Sequence, residues 1–278
     1  ADDPTLAIEL EFVDQPPFYS EGDTVRAAAA MAESGVDCLI PLGGDGTKRA
    51  AVVGSRNLPM VAISTGTNNV FPTMIEGTLA GLAAGLVAGG RLDLAEVSVS
   101  SKIMNVYVDG ELRDIALIDV ALSKERFVAS KAIWDMETLF EVFLTRAEPA
   151  SIGLSSIGAR LEAVSLADEG GLRYSISNPE EQEEEGEVST SRTVLAPIAP
   201  GVVPQVVISS WQRMADGQRF PIEKRDCTVA LDGERAFSVN RTQQLEMEVR
   251  RDGPPIIDVE LALKVAAAKG LFDLAQGN

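Results

Sequence analysis

A glycine-rich pentapeptide between an apolar run and a helix-like segment constrains the fold of this chain most strongly. Its residues are Gly43, Gly44, Asp45, Gly46 and Thr47. Residues 36–42 before it form a short apolar run typical of a buried parallel strand, and residues 48–53 have helical composition. Glycines at such a turn let backbone N–H groups approach an anion, and the helix N-terminus adds a favourable dipole. The sequence therefore predicts a phosphate-binding loop.

Asp45 is the unusual member of this loop. A carboxylate repels phosphate unless it binds a metal or accepts a proton from a reacting hydroxyl. The chain contains no histidine, so a general base must be a carboxylate, Lys, Tyr or Cys. Serine-hydrolase triads and histidine-containing metal sites are excluded, whereas carboxylate chemistry with a hard cation remains open. Asp45 therefore favours phosphoryl transfer over simple nucleotide storage.

A second polar loop follows the next apolar run, residues 59–63. Its predicted phosphate or nucleotide contacts are Thr65, Gly66, Thr67, Asn68 and Asn69. A βαβα order brings the carboxyl ends of parallel strands, and hence both loops, to one sheet edge. Hydroxyls and carboxamides there can hydrogen-bond phosphate and ribose oxygens without adding charge. The alternative for the two asparagines is a capped turn.

Composition limits the partners and the compartment. The 278 residues are enough for two domains, and they include neither a signal-peptide pattern nor an apolar run that could span a bilayer. The net charge of −18 opposes binding to nucleic acid or to anionic membrane surfaces. Cys38 and Cys227 are too far apart in sequence to indicate a disulfide framework or a zinc site. We expect a cytoplasmic protein with a small-molecule partner, and we predict no protein metal ligands.

The pattern along the chain predicts two domains. Residues 1–93 indicate an α/β domain with an open parallel sheet, completed by a helix within residues 258–278. Residues 94–257 indicate a C-terminal β-sandwich-like domain. Strands are predicted at residues 6–13, 94–99, 103–108 and 115–122, a helix at residues 127–146 and a solvated acidic loop at residues 179–187.

Several charged residues have two possible roles. Asp109 and Asp232 each precede a glycine after a strand-like run, which predicts hairpin turns. Lys48 and Arg49 follow the glycine loop directly. They could contact phosphates or lie in a solvated first helical turn, and the sequence leaves both alternatives open.

The two loops together resemble the superfamily of NAD kinases, diacylglycerol kinases and sphingosine kinases. Residues 63–72 are similar in more detail to the ATP-NAD kinase-like branch of acetoin-catabolism X proteins, as are residues 147–149, 151–158 and 195–201. This resemblance implies a NAD kinase-like fold with the site in the crevice between the two domains. It also implies ATP and Mg²⁺, a nucleotide such as NAD as small-molecule partner, and a homo-oligomer. The family's first strand, with its Asn-Pro loop, has no counterpart in the first residues of this sequence.

The resemblance also assigns roles to single residues. Asp45 corresponds to the Asp of NAD kinases that acts near the ribose hydroxyl to be phosphorylated. Their Asn-Glu pair, which contacts the dinucleotide, corresponds to Ile118 and Asp119, so that the carboxylate is kept while the Ile118 side chain cannot hydrogen-bond. Part of their Ser-Ala-Gly-Gly segment is kept at Ser155 and Ser156.

These correspondences predict an ATP-dependent phosphotransferase of NAD kinase-like type. Asp45 is its predicted catalytic residue, and Asp119, Ser155 and Ser156 join the two loops as predicted nucleotide contacts. The alternative is a weak or inactive nucleotide-binding regulator linked to acetoin catabolism. Ile118 motivates this alternative, as does Gly201, which replaces the His of a family Pro-x-x-Pro-His segment. A lipid kinase shares the first motif but fits residues 67–72 less well.

Overall fold

The computed structural model describes residues 10–65, 74–125, 136, 138–177, 191–233 and 235–273. The acidic loop at residues 179–187 lies outside these residues, as does most of the predicted strand at residues 6–13. Residues 10–13 of that strand have no regular secondary structure, so the described end of the prediction is wrong. Within the described ranges, no helix is long and apolar enough to cross a membrane.

The N-terminal part is α/β, as predicted. Its first strands pair in parallel, with Leu42 opposite Ile63 and with Leu39 bridging Met60. The strands are shorter than predicted, because Pro41 next to the first strand offers no N–H group to extend the ladder. The elements of this part are α1 (Glu21–Glu33), β1 (Leu42–Gly43), α2 (Asp45–Ser55), β2 (Ile63–Ser64) and α3 (Gly77–Ala88).

The connection to the β-rich part differs from the prediction. Residues 94–99 were expected to form one strand, but they begin as the short helix α4 (Leu94–Val97). The Asp93 carboxylate caps this helix by accepting a 3.0 Å hydrogen bond from the Ala95 N–H. Strand β3 (Ser98–Ser100) follows directly.

The β-rich part consists of two antiparallel sheets. Its strands are β4 (Ile103–Val108), β5 (Glu111–Ala116), β6 (Asp119–Ser123), β7 (Leu139–Leu144), β8 (Gly171–Ile176), β9 (Arg192–Leu195), β10 (Gln205–Met214), β11 (Arg219–Pro221), β12 (Cys227–Leu231), β13 (Arg235–Val239) and β14 (Leu245–Arg250), with helix α5 (Leu154–Leu161) between β7 and β8. One sheet has the order β13-β12-β6-β7-β8-β10-β9, and the other has the order β11-β14-β4-β5. Side chains from both sheets, including Met104, Leu122, Phe143 and Met247, form one buried core. The predicted β-sandwich-like architecture is confirmed.

Residues 139–144 form strand β7 and not the end of a helix, so the predicted helix at residues 127–146 is wrong in its described part. Strand β7 lies between β6 and β8, and both of its faces are covered. Phe143 faces the core between the sheets, whereas Val142 and Leu144 pack on the opposite face beneath α5. A strand that is apolar on both faces loses its alternating pattern, and its spacing then resembles that of a helix.

The predicted strand at residues 115–122 is two strands in different sheets. The chain passes from the four-stranded sheet to the seven-stranded sheet at Leu117 and Ile118. The predicted hairpin before it is confirmed, because Asp109 and Gly110 connect β4 and β5 with φ angles of 53° and 84°.

The last elements return to the N-terminal part. Strand β15 (Pro255–Ile257) pairs with β3, and helix α6 (Val259–Ala268) follows. Asp258 caps α6 by accepting a 3.0 Å hydrogen bond from the Leu261 N–H. Ala262 and Ala266 of α6 share one core with Val61 next to β2 and Ala80 of α3.

Four charged side chains join the N-terminal helices to the β-rich part. Arg49 of α2 pairs with Glu21 of α1 and, at 3.1 Å, with Asp114 of β5. Arg235 of β13 contacts the same two carboxylates at 3.3 and 2.9 Å. The Arg49 side chain is only 2% exposed, so its predicted alternative of a solvated helical turn is wrong. Arg235 is 48% exposed.

This network makes a prediction about stability. Arg49→Met should lower the free energy of unfolding by about 3 kcal/mol, because it leaves two carboxylates without their buried partner. Arg235→Met removes an exposed partner of the same carboxylates and should cost less than about 1 kcal/mol. Urea unfolding of the two variants measures this difference in stability. Equal losses of unfolding free energy would show that the burial of Arg49 does not determine its contribution to stability.

Candidate active site

Asp45 lies at the first position of helix α2 and not within the preceding loop. Gly44 is the N-cap, with extended φ and ψ angles of −90° and −168°. The first N–H groups of a helix have no acceptor within it, so residues 45–47 offer backbone donors at this end of α2. The Asp45 side chain is largely buried, with a residue exposure of 9%.

Gly43 has a packing reason to be glycine. A Cβ atom at this position would overlap the Thr47 side chain. The close approach between Gly43 and Thr47 therefore shapes the turn into α2. The role of Gly43 as a phosphate contact remains a prediction.

The second loop begins beside the first. The Thr65 N–H donates a 3.3 Å hydrogen bond to the Gly43 carbonyl, and Thr65 is exposed. The expectation that both loops start at neighbouring parallel strand ends is therefore met for Thr65. The other predicted members of this loop lie outside the described residues, namely Gly66, Thr67, Asn68 and Asn69.

Three carboxylates from distant parts of the sequence interact electrostatically. Asp45 starts α2, Asp119 starts β6, and Asp232 lies in the turn between β12 and β13. Burial raises the pKa of Asp119 well above its ordinary value, and the charges of Asp232 and Asp45 add to this effect. The predicted site residues Asp45 and Asp119 are thus brought together.

Asp232 holds the chain where it passes between the two sheets. Its carboxylate accepts hydrogen bonds from the N–H groups of Leu117 at 2.9 Å, Ile118 at 2.8 Å and Asp119 at 3.2 Å. Burial raises the Asp232 pKa to about 6, although these backbone N–H groups oppose the shift and Asp45 adds to it. Its φ angle of 49° agrees with the predicted turn. No local sequence pattern indicates that its carboxylate is buried beside residues 117–119.

Arg146 supplies positive charge to this cluster. It follows β7, its side chain is 6% exposed, and its Nη1 atom lies 3.5 Å from Glu148 Oε1. Burial lowers the pKa of the Arg146 guanidinium, and the charges of Glu148, Asp45 and Asp232 oppose that shift. The sequence alone does not indicate Arg146 as a site residue, because it predicts that Arg146 ends a helix.

The hydroxyl groups of Ser155 and Ser156 bind the protein backbone. Ser155 donates to the Arg146 carbonyl at 3.1 Å and accepts a hydrogen bond from the Glu148 N–H at 3.3 Å. Ser156 lies within donor distance of the carbonyls of Gly153, at 2.7 Å, and Pro197, at 2.9 Å. Both serines thus anchor the start of α5, and their nucleotide contacts remain a prediction.

A crevice lies beside Arg146, although none of Asp45, Asp119 and Asp232 is among the described residues that line it. Its volume is about 650 Å³, and Arg146 contributes to its wall. Most of the lining is apolar, with Ala62, Leu79, Leu166 and Val259 among its residues. Among the described residues, no three Asp, Glu or Cys side chains converge closely enough to hold a metal ion.

The chain has a NAD kinase-like fold, in which an α/β part places Asp45 at the start of a helix and a β-sandwich-like part contributes Asp119 and Asp232. Residues 4–91 match the ATP-NAD kinase N-terminal domain, and residues 102–252 match the acetoin catabolism protein X C-terminal domain. The chain is 38% identical over 267 residues to acetoin catabolism protein X of Cupriavidus necator. This match covers 95% of this chain and 72% of that protein. The chain belongs to the acetoin catabolism protein X family. The resemblance found in the two loops is confirmed.

Two solved structures are similar at low sequence identity. The NAD kinase from Archaeoglobus fulgidus in complex with ATP is 13% identical, with a TM-score of 0.40, over 84% of this chain and 82% of that chain. Yeast NADH kinase complexed with NADH is 12% identical, with a TM-score of 0.46, over 87% of this chain and 67% of that chain.

Proposed function

We propose that this protein is an ATP-dependent phosphotransferase that phosphorylates a hydroxyl of NAD or of a related nucleotide or polyol. The observation that carries the proposal is the buried Asp45 carboxylate at the start of α2, beside Asp119, Asp232 and the Arg146 guanidinium. The match of residues 4–91 to an ATP-NAD kinase domain supports the same reaction class.

In the proposed reaction, Asp45 accepts the proton of the acceptor hydroxyl. The acceptor oxygen forms a bond to the γ-phosphorus of ATP, while the bond from that phosphorus to the β,γ-bridging oxygen breaks. The bridging oxygen keeps the electron pair and leaves with ADP. Catalysis of this kind is mainly positioning and electrostatic stabilisation, which suits a chain without histidine.

The proposed phosphate contacts are the N–H groups at the start of α2 together with the hydroxyl groups of Thr47 and Thr65. The backbone of Gly43, Gly44 and Gly46 belongs to the same end of β1 and α2. Asp119 has a raised pKa, so a protonated carboxyl there would donate a hydrogen bond to the acceptor. We also propose nucleotide contacts for Gly66, Thr67, Asn68, Asn69, Ser155 and Ser156.

Mg²⁺ fits this site as an ion that arrives with ATP. The described carboxylates do not form a three-residue cage, and the Asp232 carboxylate already accepts three backbone hydrogen bonds. Mg²⁺ is commonly held by substrate phosphates with one or two carboxylates. Asp119 would supply one after it loses its proton, since only an ionised carboxylate coordinates the ion. When bound, the ion would neutralise part of the phosphate charge.

One experiment tests the function and its rival together. The purified protein is titrated calorimetrically with ATP, NAD and NADP, and phosphoryl transfer from labelled ATP is measured over a panel of nucleotide and polyol acceptors. Turnover with any acceptor supports the phosphotransferase. Binding without turnover favours the rival, a nucleotide-binding regulator linked to acetoin catabolism, which the buried apolar Ile118 motivates. Absence of both binding and turnover contradicts both functions.

Three further expectations complete the proposal. We propose a cytoplasmic homo-oligomer, and light scattering of the purified protein tests its association. We also propose an α/β phosphate-binding domain formed by residues 1–93 and 258–278, and a β-rich substrate and oligomerisation domain of residues 94–257. The packing of α6 against α3 supports this division.

A further inference from the structure

Lys48 reaches from helix α2 back to the ends of both short parallel strands. Its side chain is buried, and its Nζ atom donates hydrogen bonds to the carbonyls of Pro41 at 2.7 Å, Gly43 at 3.3 Å and Ile63 at 2.8 Å. The three protons of the ammonium group thus have three backbone acceptors. Both alternatives considered for Lys48, a solvated helical turn and a phosphate contact, disagree with this geometry.

Two of these carbonyls also belong to the ladder between the strands. Pro41 accepts a 3.2 Å hydrogen bond from the Ile63 N–H, and Gly43 accepts a 3.3 Å bond from the Thr65 N–H. Strands β1 and β2 contain only two residues each. Hydrogen bonds from an ammonium group are stronger than neutral ones, so Lys48 contributes a large share of what holds these strand ends together.

We infer that Lys48 is a positioning residue whose ammonium group fixes the start of the glycine loop and the start of the second loop around Asp45. The consequence for phosphoryl transfer rests on the proposed function. Because all three protons are bound to carbonyls, Lys48 acts through the backbone and not as a base or as a phosphate contact. Burial lowers the Lys48 pKa to about 8, and the charge of Asp45 opposes that shift, so the two side chains interact.

Lys102 provides a matched control in the β-rich part. It is also buried, and its Nζ donates to the carbonyls of Ser165 at 2.9 Å, Asp168 at 3.2 Å and Gly170 at 2.9 Å. Burial lowers its pKa to about 8 as well. Lys102 therefore has the chemistry of Lys48, but it binds carbonyls of residues 165–170 and not those of β1 or β2.

The test compares Lys48→Met with Lys102→Met. Hydrogen exchange at the Ile63 and Thr65 amides should be about tenfold faster in Lys48→Met, the size expected when a supporting hydrogen bond is lost. Exchange at these amides should not change in Lys102→Met. In a phosphoryl-transfer assay, Lys48→Met should lower kcat more than it raises KM for ATP, because it misplaces reacting groups without removing a ligand contact.

A second variant keeps the test valid if Lys48→Met does not fold. Lys48→Ala leaves space beside three carbonyls that an ammonium ion could fill. Recovery of folding or of slow exchange in ammonium chloride, but not in tetramethylammonium chloride, supports the inference. Equal behaviour in both salts contradicts it.

The exchange measurement separates this inference from the proposed function. If wild-type protein transfers no phosphoryl group but exchange rises only in Lys48→Met, the positioning role stands and the phosphotransferase proposal fails. If exchange at Ile63 and Thr65 is the same in wild type and in both variants, the positioning role is overturned. If turnover is unchanged in Lys48→Met, the positioning role of Lys48 has no consequence for phosphoryl transfer, and that part of the inference is overturned.

Discussion

Asp45→Asn should lower kcat for phosphoryl transfer by about 10³-fold or more, while the folded structure is kept. The carboxamide has nearly the same shape but cannot accept a proton from the acceptor hydroxyl, and loss of a general base typically costs 10²–10⁴-fold. The substitution also removes a negative charge beside Asp119 and Asp232, so thermal stability should change little or rise. Transfer from labelled ATP and scanning calorimetry measure the two effects.

The control for this variant is Asp37→Asn, which changes an exposed carboxylate before the first strand and should leave turnover unaltered. A second readout is the pKa of Asp232. It should fall below its wild-type value of about 6 in Asp45→Asn, because the charge of Asp45 raises it. Full activity in Asp45→Asn would contradict the assigned role of Asp45 as the proton acceptor.

Arg146→Met should be strongly destabilising at neutral and alkaline pH. The free energy of unfolding should fall by about 3 kcal/mol or more, because Asp45, Asp232 and Glu148 lose a buried positive neighbour. Arg213→Met is the control, since Arg213 is 36% exposed and pairs with Glu162 at 3.6 Å. Its loss should cost less than about 1 kcal/mol. Urea unfolding measures both changes.

The cost of Arg146→Met should depend on pH. The native Asp232 pKa of about 6 lies above its ordinary value of 3.8, so the native chain binds more protons than the unfolded chain between these values. This carboxyl group therefore contributes less to stability as pH rises through that window. Removal of Arg146 should raise the pKa of Asp232 further, so that the pH range over which Asp232 loses stabilising effect extends to higher pH. The loss of unfolding free energy in Arg146→Met should be largest above about pH 7 and should shrink towards about pH 5. A loss that does not depend on pH would contradict this electrostatic explanation.

The sequence was sufficient to predict that the glycine loop and the start of the second loop lie at the same sheet edge. An apolar run, a turn and a helix in alternation permit few arrangements other than parallel strands, so the neighbourhood of Gly43 and Thr65 followed from chain order. The hairpin at Asp109 and Gly110 followed in the same way from local turn chemistry. Predictions of this kind succeed because each depends on residues that are close in sequence.

The rest of the site depends on contacts between distant residues. Asp232 accepts hydrogen bonds from the N–H groups of residues 117–119, which precede it by 113 to 115 positions. No local pattern indicates such a partner. Arg146 escapes prediction for a different reason, because strand β7 is covered on both faces and its apolar residues have helical spacing. The charge balance around Asp45 therefore became visible only when the sheets were assembled.

The position of helix α6 has a consequence for the order of folding during synthesis. Ala262 and Ala266 complete the core around Val61 and Ala80, although 182 to 205 positions separate these two groups along the chain. The N-terminal part therefore emerges from the ribosome with one side of its core uncovered. The contacts within the β-sandwich are complete earlier, with strand β14 at Leu245–Arg250. The glycine loop and Asp45 consequently belong to the part of the molecule whose core is finished last.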